Sequence, residues 1–420
     1  MYRNALAFVT IAAAAALVIV PAVSATAGAS ARLPIADPGA PTESVTVGQV
    51  PLANARTIPH WHSQFTDPTN GVSYGFDMAG SDPALNQDTT IPVDVVPLDF
   101  VFADSGDYEL RGSDIVSNVV ASPLFQPSDF SSTPFVTGPM DASQHVSVVP
   151  GGELSAGNTG VQYEDAVMRA QFNKVGTSYH LRLGGPTVWP AQTIKLTNAD
   201  GAVFRNSRGV VWGEMDRGKF LSVMGQLHLD PTHLVIFVTN NVFFGRPGHW
   251  CCDQGEHSSG SSDGRGAGST NSNGNAQVQT WIYGAYLQPG TFNPSIAPFD
   301  NDIDVFSHEI AEWADDPYAT NFVNPWNSPL PPQDGCGFIL ENGDPLDRLT
   351  YTLPGNTFDT GPYADSYWHM QDVTFLPWYS RQEPNTTSQP TQQPSASVGR
   401  YSFLGDLNPY PDFHQPAASC

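Results

Sequence analysis

The chain is short of charge, and of positive charge above all. Of 420 residues only 17 are Lys or Arg against 41 Asp or Glu, and charged residues total 14%, for a formal net charge of −24. A surface of that sign repels nucleic-acid phosphate and anionic lipid headgroups, which argues against both as partners. Sulfur is scarce too. The four cysteines are Cys251, Cys252, Cys336 and Cys420, and no CxxC spacing exists to build an all-cysteine zinc site. There is no GxSxG elbow and no phosphate-cradling Gly loop. Beyond the N-terminus no apolar stretch could span a bilayer. What is plentiful is Gly (38), Pro (37) and aromatic residues (11%), with 40% hydrophobic residues in all. That mix suits a loop-rich, β-containing extracellular protein with one large domain or two ordinary ones.

The first residues carry the mark of export. Arg3 precedes an apolar run from Leu6 to Val20, then Pro21 and the small-residue sites "VSA" and "ATA". The pattern is that of a secretory signal peptide over 1–27, cleaved after Ala25 or Ala27. Residues 28–55 are expected to be a flexible segment, 56–408 the folded domain, and 409–420 a tail. In an exported chain the cysteines are oxidised. The favoured pair joins Cys251 or Cys252 to Cys336, and a ring between Cys251 and Cys252 is the alternative.

Within the domain, "TIPHWHSQFTDPTNGVSYGFDM" reads as short strands and turns. A strong strand is expected over 91–104, a short helix from Ser113 or Asp114, and another helix within 161–172. "SYHLRL" reads as a strand. "RGVVWGEMDRGKFLSVMGQLHLDPTHLVIFVTNN" reads as strand, helix and strand, the last at 233–239. Residues 255–276, "GEHSSGSSDGRGAGSTNSNGNA", are polar and Gly-rich and are expected to form a mobile loop, with His249 and His257 as surface residues beside the cysteines. A strand follows at 277–287, and "PNTTSQPTQQPSAS" makes 384–397 a flexible insertion. Trp61, Trp326 and Trp378 could stack on sugars, although tryptophan is more often core.

The chemistry concentrates in "VFSHEIAEWADDPY", residues 305–318. A helix starting near Asp304 as N-cap and stopped by Pro317 puts His308 and Glu312 at i and i+4, on one face. HExxH is the zinc-hydrolase pattern, with two His on the ion and the Glu beside the attacking water. Here Glu replaces the second His, giving HExxE. The plain alternative is an amphipathic helix with Ile310 and Trp313 in the core and its acids in water. Downstream, "CGFILENGDPLD" sets Glu341 and Asp344 after a short strand, in a turn where a third ligand or only a structural acid could sit.

The combination "SHEIAEWADDPY", "NPWN" and "LENGDPL" resembles a group of secreted bacterial proteins with a zincin-like core. It is similar, more distantly, to the plant exordium or phosphate-induced proteins, whose pattern runs HExxE, Thr-Asp-Pro and Glu-Ile-Gly-Asp. Here the middle element is "DDP" and the last "ENGD". "IPVDVVPLDFVFAD", "HLVIFVTNNVFF" and "CCDQGEHS" extend the likeness across most of residues 56–408. It implies a zincin-like α/β (α+β) fold: a small twisted mixed sheet, an active-site helix beneath it and a loop-rich C-terminal part. It also implies His308, Glu312 and Glu341 as metal ligands, with Asp344 as substitute, and Glu309 as general base. Asp315 and Asp316 become acceptors that orient His308 or bind a separate cation, and His369 a candidate second imidazole or, more simply, a partly buried histidine.

One imidazole with two carboxylates neutralises a divalent ion, which weakens it as an activator of water. Zinc is the expected cofactor, with calcium or manganese the oxygen-loving alternatives. The expected function is a secreted metal-dependent hydrolase acting on a peptide or protein. The alternative is a non-catalytic extracellular or cell-surface protein that binds a cell-wall or glycan surface and keeps a structural ion.

Overall fold

The structure is a computed structural model that describes residues 55–130, 135–137, 147–149, 159–245, 251–260, 277–292, 301–328, 335–346, 350–382 and 401–404. All lie in a compact unit running from Gln49 to Cys420; the other unit, Met1–Gly48, is outside the described residues. So are the signal-peptide run, His249, the 384–397 insertion and the 409–420 tail, together with the side chains of Cys251, Cys252 and Cys336 on which any disulfide pairing rests.

The class is mixed α and β, with helices α1 (Val116–Ala121), α2 (Tyr163–Gln171), α3 (Arg217–Met224), α4 (Asp304–Asp315) and α5 (Leu376–Tyr379) among the described residues. The main sheet has seven strands. Its centre is three parallel strands, Val93–Phe102, Leu234–Asn240 and Gln279–Tyr286, with Ile236 opposite Val95 and Val238 opposite Gly284. Gly255–Gly260 closes one side antiparallel to Gln279–Tyr286. Thr187–Val188, Gln192–Leu196 and Tyr108–Arg111 pair along Val93–Phe102. "LVIFVT" (234–239) is apolar almost throughout because both faces of a central parallel strand are covered.

The two-residue repeat of a strand then sorts the core into two layers. Leu234, Ile236, Val238, Ile282 and Tyr286 join the core on one face. Val235, Phe237, Trp281 and Tyr283 join a second core on the other. There Phe220 of helix α3 (Arg217–Met224) meets Phe237, Trp281, Phe244 and Tyr283 with ring centroids 5.0 to 5.5 Å apart.

The first face carries helix α4 (Asp304–Asp315), with α2 (Tyr163–Gln171) against it. Phe306, Ile310, Ala311, Trp313 and Ala314 of α4 are fully buried. Trp313 Nε1 donates to Thr280 Oγ1 at 3.0 Å, so the indole is covered without losing its hydrogen bond. The helix begins one residue earlier than expected: Ile303 rather than Asp304 is the N-cap, and Asp304 is the first helical residue, its carboxylate accepting from Thr350 Oγ1. Asp316 is the C-cap and Pro317 follows, as the proline requires. Trp61, Trp326 and Trp378 are core residues at 7%, 1% and 2% exposure, so none of them offers a sugar platform.

The sheet and α4 approach closely because Gly284 has no side chain. A Cβ there would stand 2.5 Å from the Phe306 ring. Gly284→Val is expected to destabilise the fold by about 1–3 kcal/mol or more through overpacking, seen as a lower denaturant midpoint with an unchanged slope.

Candidate metal centre

Three pieces of chain converge beside α4. On the helix itself, the i,i+4 relation places His308 Nε2 3.0 Å from Glu312 Oε1. The Gly343–Asp344 turn lies over them, and Asp344 Oδ1 is 3.6 Å from His308 Nε2. The third piece is the Gly255–Gly260 strand. Its alternation turns Gly255, His257 and Ser259 toward α4 and sends Glu256 to the other face, where it pairs with Arg217. His257 Nδ1 thus stands 3.3 Å from Glu312 Oε2 and 3.6 Å from both Glu309 Oε2 and Glu341 Oε2.

This overturns the expectation of a mobile loop for 255–260, and that of His257 as a surface residue. Residues 255–260 form a strand and His257 is buried, while 261–276 lie outside the described residues. The ladder to Gln279–Tyr286, in which His257 faces Ile282, outweighs the loop-like composition. The carboxylate beside His308 is that of Asp344, the expected substitute, while Glu341 sits with His257 and Glu312. Asp315 and Asp316 do not orient His308. Asp315 accepts from Gln171 Nε2 at 2.7 Å and Asn342 Nδ2 at 2.8 Å. Asp316 caps the backbone N–H groups of Thr320 and Asn321 with its side chain. His369 is buried against Asp302, with Nδ1 2.6 Å from the carboxylate, as a core histidine rather than a second imidazole of this cluster.

Both imidazoles of the cluster are held by a partner on the far side of the ring. His257 Nε2 is 3.1 Å from the Asp316 carbonyl oxygen, an acceptor only, so Nε2 carries hydrogen. His308 Nδ1 is 2.8 Å from Gln371 Oε1, and the amide of Gln371 is oriented by donating Nε2–H to the Gly343 carbonyl at 2.6 Å. Nδ1 of His308 is therefore the donor. In the neutral rings this leaves the lone pairs of His257 Nδ1 and His308 Nε2 aimed at carboxylate oxygens. Two electron-rich groups face one another only if something positive lies between them, either a proton or a cation.

His308 Nε2 and Glu312 Oε1, 3.0 Å apart, are within hydrogen-bond range, while the other four separations, 3.3 to 3.6 Å, leave room for a cation. Hydrogen bonds of this kind run to about 3.2 Å. Ligand atoms at the corners of a tetrahedron around zinc, at bonds of about 2.0–2.1 Å, are about 3.3 Å apart. Glu309 Oε2 makes no hydrogen bond although Glu309 is buried. Electrostatics agrees. Burial works against a charged His257, yet Glu341, Glu309 and Glu312 hold its pKa well above the usual imidazole range. His308 is raised likewise against burial, by Glu312, Glu309 and Asp344. Burial lifts Glu341 well above a normal carboxyl and Glu309 to about 7, while Glu312, between the two rings, is lowered despite burial. The group demands positive charge, and two sets in it, His257–Glu312–Glu341 and His308–Glu309–Glu312, could hold a metal ion.

Two close approaches of backbone shape the site. A Cβ on Gly255 would lie 2.4 Å from Glu309 Oε1, and one on Gly343 2.6 Å from His308 Nδ1. Asn342 pins the turn to the helix by donating to the Ala311 carbonyl and to Asp315. The N–H groups of Gly343 and Asp344 reach Glu312 Oε1 at 3.2 and 3.3 Å. Exposure is confined to one edge, where the side chains of His308, Glu341 and Asp344 are 15%, 17% and 14% accessible.

Sequence reasoning missed His257 and Gln371. Gln371 follows His369 by two on the same strand and so lies on the same face, but nothing in the sequence marks that segment as a strand facing His308. Set beside known proteins, the chain matches no family model, and no curated protein or solved structure matches it significantly. What these residues do therefore rests on their geometry.

Asp315 supports the turn and is itself strained electrostatically. Burial raises it to about 7 although Gln171 and Asn342 both donate to it. A carboxyl with a folded pKa above its unfolded one, about 3.9, stabilises the fold while protonated and loses that contribution as pH rises. Asp315→Asn is expected to flatten the decline in unfolding free energy between about pH 4 and 7, measured by denaturant titration at several pH values.

Proposed function

We propose that the protein is a secreted metal-dependent hydrolase, peptidase-like in its chemistry, with zinc as its cofactor. The observation that carries this reading is the pair of imidazoles whose outer nitrogens are fixed as donors and whose inner nitrogens face carboxylates. His308, Glu312, Asp344, His257 and Glu341 form the ligand pool. Two imidazoles in that pool favour zinc over calcium, which takes oxygen ligands, and manganese is the second choice. When bound, the cation supplies Lewis-acid polarisation and acidifies water.

The chain's own groups divide the remaining work. Glu309 is buried at the rim of the pool with an oxygen that makes no hydrogen bond, which fits a general base that takes a proton from water and returns it to a leaving amine. Gln371 and the Asp316 carbonyl hold the ring tautomers. The turn N–H groups of Gly343 and Asp344 steady Glu312. The edge at His308, Glu341 and Asp344 is where substrate reaches the group, and a peptide or protein is the expected substrate. Export rests on the Arg3 and Leu6–Val20 pattern; among the described residues no helix is long and apolar enough to cross a membrane.

One observation favours a second reading, a non-catalytic extracellular binding protein with a structural ion. The carboxylates outnumber the imidazoles, so a bound ion is neutralised and its pull on water blunted.

Glu309→Gln separates the readings. For the hydrolase, cleavage of a peptide library falls at least about a hundredfold while metal content is unchanged. No cleavage by the wild type, with a thermal midpoint that drops on chelation, supports the structural ion. Gln371→Leu, which frees the His308 ring, is expected to weaken metal affinity about 10–100-fold in chelator competition.

A further inference from the structure

We infer that the centre takes two cations, with Glu312 bridging them. This inference rests on the metal-binding reading above and makes it more specific.

The carboxylate of Glu312 faces two ways. Oε1 lies 3.0 Å from His308 Nε2, and Oε2 lies 3.3 Å from His257 Nδ1. Each oxygen has its own imidazole and its own further carboxylate: Asp344 Oδ1, 3.6 Å from His308 Nε2, on one side, and Glu341 Oε2, 3.6 Å from His257 Nδ1, on the other. A carboxylate that presents one oxygen to each of two nitrogen–oxygen pairs is a bridging ligand. Each half then has three protein donors and one open position, the composition of a catalytic zinc site. Both sets of side chains close enough to share an ion contain Glu312: His257–Glu312–Glu341 is one of these halves, and in the other, His308–Glu309–Glu312, Glu309 stands in the place assigned here to Asp344.

Charge balance points the same way. Glu309, Glu312, Glu341 and Asp344 bring up to four negative charges into a region where no side chain is more than 17% exposed. The strongest charges acting on Glu309, Glu312 and Glu341 are one another, neighbouring acids and the two imidazoles; no Lys or Arg is among them. One divalent ion leaves two negative charges buried. Two divalent ions balance all four and let both imidazoles stay neutral. Unbalanced buried charge is costly; protonation of two carboxyls would also relieve it, and the two-sided placement of Glu312 is what favours a second cation. Glu309 Oε2, 3.6 Å from His257 Nδ1 and without a hydrogen bond, remains beside the pair as the base.

The test is a metal count on the full chain, stripped with chelator, dialysed against excess Zn²⁺, freed of loose ion and assayed by plasma emission. Two equivalents per chain are expected for the wild type and one each for His257→Ala and His308→Ala, with folding of the variants checked by circular dichroism. One equivalent in the wild type overturns the second cation and leaves the single-ion reading standing; none overturns both. A folded His257→Ala that holds any number other than one overturns the assignment of ligands. As a readout independent of any variant, Mn²⁺-loaded wild type is expected to show the exchange-coupled paramagnetic resonance of ions about 3.5–4 Å apart. An uncoupled six-line spectrum overturns the bridge.

Discussion

A carboxylate removed from water must find positive charge close by or surrender its own. The packing around helix α4 answers to that constraint. Glu309 and Glu312 are buried on a helix covered nearly all round, with Ile310 and Trp313 in the core, and Glu341 and Asp344 are folded down onto them. Lysine and arginine, few in this chain, are spent elsewhere, as in the pairing of Arg217 with Glu256 on the opposite face of the sheet. The cluster is thus left to two histidines and whatever ion they can gather.

The surroundings hold that arrangement in place by main-chain contacts more than by bulk. Gly255 lets a strand touch Glu309, Gly343 lets a turn rest on the His308 ring, and Gly284 lets the helix sink onto the sheet. Asn342 and Gln371 each bind the turn and another element at once, Asn342 through Ala311 and Asp315, Gln371 through His308. These are short polar links in a buried setting, where a satisfied network rigidifies and a broken one is costly.

Much of the scaffold was legible in the sequence. Val93–Phe102, Leu234–Asn240 and Gln279–Tyr286 announced themselves by their β-branched and aromatic residues, and α4 by its spacing and Pro317. Local rules place His308 beside Glu312 because one turn of helix is a fixed distance. They fail for His257, since "GEHSSG" has no apolar alternation to mark a strand and is ordered only by its ladder to a distant segment. They fail also between Glu341 and Asp344, because which of two acids in a turn meets His308 depends on how Asn342 anchors the loop. Gln371 could be found only once the fold had placed it behind the His308 ring.

The donors of this centre lie on a strand near residue 257, a helix near 310 and a turn near 342, and the first must wait for the last before they meet. Contacts so distant along the chain form late in folding, after most of the entropy of ordering has been lost. A growing or unfolded polypeptide would own no more than an adjacent histidine and glutamate, a poor trap for any ion. Were the chain carried across a membrane in that state, it would leave its first compartment empty-handed and be loaded from the metal supply of the place where it finally folds.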